Sequence, residues 1–308
     1  MKILVIGSST TEMIFQASVI PGKGETVMGT SFNMSPGGRG VNQAIAVARA
    51  GGEVVFICRT GNDLFGEQLI EVLQQNNINT ANVIRDKKLA SGISSVIVDA
   101  AGNSGITITQ GANANLSEKD LLNAQLVINS GDILLLQLDI PIETIRFAAD
   151  LARSSGARVI LNPSPTLPVS DELLKSISIL TPNASQAEIL TGITITDERS
   201  AELAGRILLE RGLNRVIITL RSKGAMVIDN GGAEHVPGFR MSSLDASVVN
   251  DVFNGTLAVG LAEGKNFYEA VLFANAAAAI SASRPGTLAS IPSRNEILEV
   301  LRTKHRSH

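Results

Sequence analysis

The chain has 308 residues, of which 44% are apolar and 18% charged, so it is long enough for one large α/β domain, or two smaller ones, with a hydrophobic core. Its formal net charge of −3 provides no basic surface, and its single cysteine, Cys58, excludes an internal disulfide. No segment reaches the roughly 18 apolar residues that span a bilayer, and the N-terminal apolar run is too short for a signal peptide. We therefore expect a cytoplasmic protein with neither nucleic-acid nor membrane partners.

Short apolar runs without alternation predict strands that are buried on both faces. In chain order these runs are KILVIG, EVVFIC, DILLLQL, ARVILN, SISILTPN and RVIITL. Helical patterns separate them, namely VNQAIAVARAG, GEQLIEVLQQNN, PIETIRFAADLARSSG, SQAEILTG and ERSAELAGRILLERG. Strands that alternate with helices are typical of a doubly wound, mostly parallel α/β sheet flanked by helices.

Two segments of the N-terminal third do not fit this alternation. GETVMGTSFNMSPGG and SGISSVIVDAAGNSGITITQG read as half-exposed antiparallel strands, and DAAGNSG predicts a turn inside the second. We interpret them as a small β-sheet lid formed by roughly 10–36 and 89–110. The chain shows no linker or repeat, so we predict a single domain over 1–308.

Polar residues follow several of the predicted strands. They occur after KILVIG, at Asp139 after DILLLQL, at Asn183 after SISILTPN, and from Arg221 to Gly224 after RVIITL. Any one of them is more often a turn or cap former. Because ligands of open α/β sheets collect at the carboxyl ends of strands, their joint occurrence predicts a shared polar cleft.

The segment GGRGVNQA combines glycines with polar side chains at the start of a predicted helix. Its glycines allow close approach of the backbone, Arg39 is a charged donor, and Asn42 lies in the first helical turn. It is either a glycine turn that caps the helix or a loop that binds hydroxyls or anions, and we favour the loop. Neither a dinucleotide fingerprint nor a Walker A loop is present.

The segment LDASVVNDVFNG places Asp251 at the start of a predicted helix of small residues. With only three histidines in the chain, a zinc site or a Ser-His-Asp triad has little to build from, so acid–base chemistry falls to a carboxylate. Asp251 is either a helix cap or a base beside free backbone N–H groups. The second arrangement suits phosphoryl transfer to an alcohol.

Several separated motifs, in order, resemble the ribokinase-like (pfkB-type) carbohydrate kinases. They are GGRGVNQA, LTPNASQAEILTG, VPGFRMSSLDASVVNDVFNG and FANAAAAISASRPGTLASIP, and the resemblance covers essentially the whole chain. It implies ATP-dependent phosphorylation of a sugar's primary hydroxyl, with Mg²⁺ carried by the nucleotide. It also implies a monovalent cation such as K⁺ near the anion-binding loop, and a lid that pairs in a homodimer.

The resemblance implies a role for each matching position. Asp251 matches the catalytic base, and the backbone N–H groups of Val248, Val249, Asn250 and Asp251 match the anion hole. The positions that match sugar contacts are Thr10, Glu12, Gly38, Arg39, Asn42, Asp139 and Asp251. The positions that match nucleotide contacts are Asn183, Gln186, Thr219, Arg221, Lys223, Gly224, Asn250 and Asn275. The positions around the cation are Asp245, Ser247, Ser281, Arg284, Gly286 and Ser290.

Several of these positions depart from the family pattern. Thr10, Glu12, Arg39 and Asp139 stand where the family has Asn, Asp, Lys and Glu, so the reach of three charged groups changes. Either these changes fit the pocket to a different sugar or they are drift. Because Arg39 is a planar fork rather than a point charge, its exchange is not neutral.

The nucleotide side and the anion loop also depart from the pattern. Gln186 replaces a glutamate that organises water around the metal, and Arg221 replaces a glycine and either binds phosphate or crowds the nucleotide. Val248 and Val249 are stiff, and Asn250 replaces a glycine, a residue that often marks positive φ. Because the anion hole consists of main-chain N–H groups, it is preserved if these side-chain changes leave the backbone conformation unchanged.

Three functions remain open at the level of the sequence. The leading hypothesis is an active kinase for ribose or a similar furanose or polyol. The second is a weak or inactive relative that binds sugar or nucleotide as a sensor, which the changes at Gln186, Arg221 and Val248–Asn250 would support. The third is a kinase for a nucleoside or a sugar phosphate, against which the scarcity of aromatic residues counts.

Overall fold

A computed structural model describes residues 1–124 and 128–305. In chain order the strands are β1 (Ile3–Ile6), β2 (Thr10–Ala17), β3 (Gly29–Gly37), β4 (Val54–Gly61), β5 (Val83–Asp86), β6 (Gly92–Val98), β7 (Ser104–Thr109), β8 (Ile133–Gln137), β9 (Arg158–Asn162), β10 (Ile179–Leu180), β11 (Arg215–Thr219), β12 (Gly224–Asp229) and β13 (Gly232–Pro237). The helices are α1 (Arg39–Arg49), α2 (Leu64–Gln75), α3 (Glu118–Asn123), α4 (Ile142–Ser154), α5 (Asp171–Leu174), α6 (Ala184–Thr191), α7 (Glu198–Glu210), α8 (Val249–Ala262), α9 (Phe267–Ala282) and α10 (Arg294–His305).

The large sheet confirms the predicted fold class. Within the described residues its strand order is β13-β12-β11-β10-β9-β8-β1-β4-β5, and every pair from β11 to β5 is parallel. All six apolar runs contribute parallel strands to it. The sequence interpretation missed β5 and the antiparallel edge hairpin β12–β13.

The sheet separates two hydrophobic cores, which explains why its strands are continuously apolar. In β1, Ile3 and Val5 face a core shared with α1, α8 and α9, whereas Leu4 and Ile6 face a core shared with α4 and α7. All four side chains are buried. Because successive side chains point to opposite faces, a strand covered on both sides needs apolar residues at every position.

The lid is a four-stranded sheet of order β3-β2-β6-β7. The pairs β2–β3 and β6–β7 are antiparallel, as predicted. The sequence interpretation did not say how the two segments pair with each other, and the central pair β2–β6 is parallel, with Thr10 beside Gly92. The reason is topological: β2 follows β1 after three residues, and β6 enters the lid in the same direction from the far edge of the large sheet. Thr10 and Glu12 therefore lie on a lid strand.

Helix α8 runs close to α1 because of a glycine at their contact. A Cβ atom on Gly255 would lie 2.7 Å from Ala46 Cβ and 2.7 Å from the carbonyl oxygen of Gln43. The start of α8 is thereby held against the start of α1. The single-domain boundary of 1–308 stays a prediction, and it includes 125–127 and 306–308, which lie outside the described residues. Nowhere in 1–124 or 128–305 does a helix combine the length and apolarity that crossing a bilayer requires.

Candidate active site

The carboxyl ends of β1 and β8 and the turn after β9 bring the first polar cluster together. Arg39, the first residue of α1, donates from Nε to Ser164 Oγ at 2.7 Å and lies 3.4 Å from Asp139 Oδ2 through Nη1. Ser8 also donates its hydroxyl to Asp139. Burial raises the pKa of Asp139, and the nearby Arg39 opposes that rise. Arg39 and Asp139, predicted as sugar contacts, therefore meet in one cluster.

Gly38, the N-cap of α1, and Gly40, its second residue, are required by close packing against the end of β1. Gly38 has φ of 98°, and a Cβ there would lie 2.9 Å from the Thr10 nitrogen and 3.0 Å from the Ser8 oxygen. A Cβ on Gly40 would lie 2.7 Å from the same oxygen. A side chain at either position would push the loop away from β1, so the glycines fix where Arg39 and the N-terminus of α1 stand.

Asp251 lies buried beside the N-terminus of α1. Its Oδ2 accepts a hydrogen bond from Asn42 Nδ2 at 3.1 Å, and its Oδ1 accepts one from Gln43 Nε2 at 3.0 Å. Burial raises the pKa of Asp251 to about 6, and Asp139 adds to the rise, whereas Arg39 and the two amides oppose it. A carboxylate held near neutral pKa by burial is a suitable general base.

Glu12 extends the acidic group onto the lid strand β2. It accepts hydrogen bonds from the backbone N–H of Gly38 and from Thr287, and burial together with the negative charge of Asp251 raises its pKa to about 7. Thr287 in turn lies 3.2 Å, hydroxyl to hydroxyl, from Ser35 on β3. The lid therefore contacts both the N-cap of α1 and the segment before α10.

The start of α8 provides free backbone N–H groups beside Asp251. The helix begins at Val249, two residues earlier than predicted, and Val248 is its N-cap. The first backbone hydrogen bond of the helix runs from the Val252 N–H to the Val248 oxygen at 2.9 Å. The N–H groups of Val249, Asn250 and Asp251 precede it and carry the positive end of the helix dipole. They are three of the four N–H groups, those of residues 248–251, that the sequence predicts as an anion hole.

The glycine that Asn250 replaces often marks a positive-φ position, but Asn250 does not occupy one, because it is the second residue of α8 and is helical. The left-handed conformation occurs instead at Arg221, with φ of 55°, which is the other glycine-to-larger change in the predicted site. Asparagine at 250 is thus compatible with a regular helix start, and the conformational strain lies at Arg221.

A cavity of about 640 Å³ lies on the other side of the α8 N-terminus. Its apolar wall includes Phe253 and Ala278. Six of the predicted nucleotide positions line it, namely Asn183, Thr219, Arg221, Gly224, Asn250 and Asn275. Asn275 is fixed by donating to the Val236 oxygen at 3.1 Å.

The remaining two nucleotide positions, Gln186 and Lys223, are not among the residues that line this cavity. Gln186 is buried and completes a capping box: its Oε1 accepts the Asn183 N–H, and its own N–H donates to Asn183 Oδ1, both at 2.9 Å. The two bonds fix Asn183 at the cavity wall.

The six residues predicted around a cation meet beside the start of α8. Asp245 accepts N–H bonds from Ser247 at 2.9 Å and Gly286 at 3.2 Å. Ser281 and Ser290 lie 3.0 Å apart through their hydroxyls. Arg284 binds Glu296 at 2.6 Å. Carboxylate, hydroxyl and carbonyl oxygens suit a hard cation, so this donor set fits K⁺. In the described ranges no three His, Cys, Asp or Glu side chains cluster as metal ligands.

The sequence interpretation missed four residues that contact the predicted site: Gln43, Gln137, Ser164 and Thr287. Gln137 ends the buried strand β8 and is fully buried, as is Gln43. A polar residue at the end of an apolar run was the available signal for Gln137. Gln43 lies inside the GGRGVNQA motif but was not given a role. Thr287 lies inside the FANAAAAISASRPGTLASIP motif but was also not given a role. Ser164 lies outside the motifs, and only the fold brings it to the site.

Comparison with known proteins identifies the family of the chain. Residues 1–294 match the family described as pfkB family carbohydrate kinase. Ribokinase of Haemophilus influenzae is 37% identical over 96% of this chain and 97% of its own length. Deoxyribokinase of Salmonella typhi is 32% identical over 98% and 99%, respectively. The structure of Arabidopsis thaliana ribokinase complexed with ribose and ATP superposes with a TM-score of 0.89 at 29% identity, covering 97% of this chain and 98% of that one. The chain therefore belongs to the pfkB family of carbohydrate kinases.

Proposed function

We propose that this carbohydrate kinase transfers the terminal phosphoryl group of ATP to the primary hydroxyl of ribose or a similar sugar. The observation that carries the proposal is the start of α8, where the buried carboxylate of Asp251 and a row of free N–H groups stand side by side. The polar cluster lies on one side of this point and the 640 Å³ cavity on the other. The ribose and ATP of the Arabidopsis thaliana structure support the choice of substrates.

In the proposed reaction Asp251 is the general base. The carboxylate takes the proton of the sugar hydroxyl while that oxygen forms a bond to the terminal phosphorus of ATP, and the bond from phosphorus to ADP breaks. The N–H groups of residues 248–251 hold the negative charge of the transferred group. Because burial raises the pKa of Asp251 to about 6, the group is ionised at neutral pH and still accepts a proton readily.

The sugar would bind among Thr10, Glu12, Gly38, Arg39, Asn42 and Asp139. Two buried oxygens there, Asn42 Oδ1 and Asp139 Oδ1, have no hydrogen-bond partner in the described part of the protein. A buried acceptor without a donor costs about 1–3 kcal/mol, so a ligand that brings hydroxyl donors is favoured at this place. A polyol or sugar has such donors on successive carbons, which supports the assignment.

The nucleotide would bind in the cavity, near Asn183, Thr219, Arg221, Gly224, Asn250 and Asn275. Gln186 and Lys223 are not among the lining residues and would support those that are. Mg²⁺ would arrive with ATP and neutralise phosphate charge. The group of Asp245, Ser247, Ser281, Arg284, Gly286 and Ser290 would hold K⁺ and so support the start of α8. Since the Arg284 side chain is paired with Glu296, only its backbone would contribute.

We also propose that the lid pairs with the lid of a second copy. Its two edge strands, β3 and β7, carry exposed apolar side chains: Phe32 is 55% exposed, Ile106 59% and Ile108 56%. Unprotected sheet edges with apolar side chains favour association. Sedimentation analysis should give a dimer, and Ile106→Lys with Ile108→Lys should give a monomer; a wild-type monomer would contradict the proposal.

The test of the main proposal is ADP release with a panel of ribose, 2-deoxyribose, other pentoses, hexoses and nucleosides, each with and without K⁺. Turnover on ribose or a similar sugar is expected. Turnover on a nucleoside alone would overturn the assignment. If no acceptor supports turnover while sugar or ATP still raises the melting temperature, the protein is a sensor rather than a kinase.

A further inference from the structure

A chain of two buried amides leads from the end of β8 to Asp251. Gln137 Nε2 donates to Gln43 Oε1 at 2.8 Å, and Gln43 Nε2 donates to Asp251 Oδ1 at 3.0 Å. Both glutamines are fully buried. The three residues belong to β8, α1 and α8, so the chain ties together the three elements whose ends form the active site.

The direction of this chain is fixed by chemistry. An ionised carboxylate only accepts hydrogen bonds, so Gln43 must present its NH₂ group to Asp251 and its oxygen to the other side. Gln137 must then present its own NH₂ group to that oxygen. If Gln137 could not donate, the Gln43 amide would be free to rotate and turn its oxygen toward the carboxylate. Gln137 therefore sets the orientation of an amide that it contacts on the side away from Asp251.

The fold keeps space for this chain at a cost. A Cβ atom on Gly7 would lie 1.9 Å from Gln137 Oε1, so only glycine at position 7 leaves room for the Gln137 carboxamide. That same oxygen is buried and has no donor among the residues that the structure describes. A glutamine that only filled space would be replaceable by an apolar residue without this unpaired atom. The NH₂ group of Gln137 does have a partner, Gln43, so we infer that Gln137 is needed at this position as a hydrogen-bond donor.

We propose that Gln43 and Gln137 are positioning residues, Gln43 holding one oxygen of Asp251 so that the other faces the acceptor hydroxyl, and Gln137 fixing the orientation of Gln43. This inference rests on the proposed kinase reaction with Asp251 as base. Catalytic groups usually keep their geometry because neighbouring residues hold them, and further residues fix the rotamers of those neighbours. Here Gln43 holds Asp251, and Gln137 fixes Gln43. Asn42 restrains Oδ2 from the other side.

The chain also acts on the charge of Asp251. Each N–H bond to the carboxylate favours its ionised form and opposes the effect of burial. The other charged groups that face Asp251 are Arg39 on α1, Asp139 after β8 and Glu12 on β2. No hydrogen bond joins Gln137 to any of these three in the described residues, so a change at Gln137 reaches Asp251 through Gln43.

The test is the pH dependence of kcat for the sugar that wild type uses, with Gln43→Met and Gln137→Met. Gln43→Met should lower kcat about tenfold and raise the apparent pKa of the acid limb by about one unit, the size expected for one hydrogen bond to a charged group. Gln137→Met should change kcat and the apparent pKa in the same directions as Gln43→Met, but by smaller amounts. KM for ATP should stay at the wild-type value in both.

Thr144→Val is the matched control. Thr144 is buried and donates its hydroxyl to the Leu116 oxygen at 2.8 Å, and in the described residues no hydrogen bond joins it to Asp251, Gln43 or Gln137. This variant therefore loses one buried hydrogen bond and should keep the wild-type profile. If Gln137→Met does not fold, Gln137→Leu also removes the donor to Gln43 and brings no charge near Asp251.

Each outcome separates the two levels of inference. Folded Gln43 and Gln137 variants that retain the wild-type acid limb and kcat overturn the positioning role, even if Asp251→Asn is inactive. A wild-type protein without turnover, or an active Asp251→Asn, overturns the proposed function instead. The same shift in Thr144→Val would show that any lost buried hydrogen bond moves the profile, which would also overturn the inference.

Discussion

The two sides of the α8 N-terminus, where we propose that the sugar and the nucleotide bind, differ in charge and in shape. On the sugar side the carboxylates of Glu12, Asp139 and Asp251 are held by hydrogen bonds within the protein, and burial raises the pKa of each. On the nucleotide side the cavity is wide and partly apolar, and Arg221 is the one charged residue among those that line it in the described chain. The sugar side is therefore pre-organised around charge, whereas the nucleotide side depends on shape and on the helix dipole.

The largest expected effect removes the charge at the point where the two sides meet. Asp251→Asn should lower kcat by at least ~10²-fold, because a positioned general base contributes about 10²- to 10⁴-fold. The comparison predicts that KM for ATP stays near wild type, since the nucleotide side does not use this carboxylate. Steady-state kinetics measures both constants, and the melting temperature checks folding. Unchanged kcat would mean that Asp251 is a helix cap and that the sugar side has no catalytic carboxylate here.

The pH profile tests whether burial on the sugar side is used in the reaction. The base must be ionised, and the pKa of Asp251 is raised to about 6, so protons compete with the reaction as the pH falls through that value. This pKa belongs to the protein without ligand, so it governs kcat/KM for the sugar, which we expect to fall at least tenfold per unit below pH 6. The same constant should also respond to Glu12, whose pKa is raised to about 7. A kcat/KM that is flat down to pH 4.5 would exclude Asp251 as base.

The nucleotide side offers a single charged contact to remove. Arg221→Gly should raise KM for ATP about tenfold, the value of one hydrogen bond to a charged group, and leave KM for the sugar unchanged. Arg221→Lys keeps the charge without the planar fork, so its KM for ATP should lie between those of wild type and Arg221→Gly. A fall in KM for ATP would show instead that the arginine crowds the nucleotide.

Arg221→Ala separates charge from backbone strain. Alanine also lacks the guanidinium group but, like arginine, is disfavoured at φ of 55°, where glycine is not. We expect Gly and Ala variants to share the same KM for ATP, and the Gly variant to be more stable by about 1 kcal/mol in urea unfolding. A difference in KM between them would assign the effect to loop conformation rather than to charge.

How far the sequence predicts this molecule depends on the range of the contacts involved. The six parallel strands were predictable because burial on both faces imposes uninterrupted apolar runs, and Asp251 because an acid stands beside a helix start. The parallel pairing of β2 with β6 was not, since alternation within a strand does not record the direction of its neighbour. The amides of Gln43 and Gln137 were missed because their partners lie 94 and 208 residues away in the chain.

Arg221 and Asn250 show the same limit at the level of single residues. Both replace glycines of the family pattern. The presence of a glycine in a pattern does not reveal whether the position needs positive φ or close packing. Only the structure shows that position 221 is left-handed and position 250 helical. Gln186 is a third case, because the sequence presents it as a lost metal carboxylate and the fold uses it as a cap.

The smallest effect concerns stability and tests whether the sugar side is strained by its own charge. Glu12→Gln removes one charge and retains both hydrogen bonds, because a glutamine oxygen accepts from the Gly38 N–H and its NH₂ group donates to the Thr287 hydroxyl. The pKa of Glu12 is raised in the folded protein, from 4.5 to about 7, so the folded state binds its proton more tightly than the unfolded state does. Its contribution to stability is therefore full below about pH 4.5 and is lost as the pH rises through about 7.

It follows that at pH 8 wild type carries the cost of an ionised, buried Glu12, and Glu12→Gln does not. We expect the melting temperature of Glu12→Gln to exceed that of wild type by a few degrees at pH 8, and the difference to shrink toward pH 5, where wild-type Glu12 is itself protonated. Glu53→Gln removes an exposed carboxylate and should show no such pH-dependent difference. If Glu12→Gln is less stable than wild type at pH 8, the carboxylate is stabilised by its surroundings. The sugar side would then stabilise the ionised Glu12 even without a ligand. The two sides would still differ in their number of charged groups, but an ionised carboxylate on the sugar side would not lower the stability of the protein.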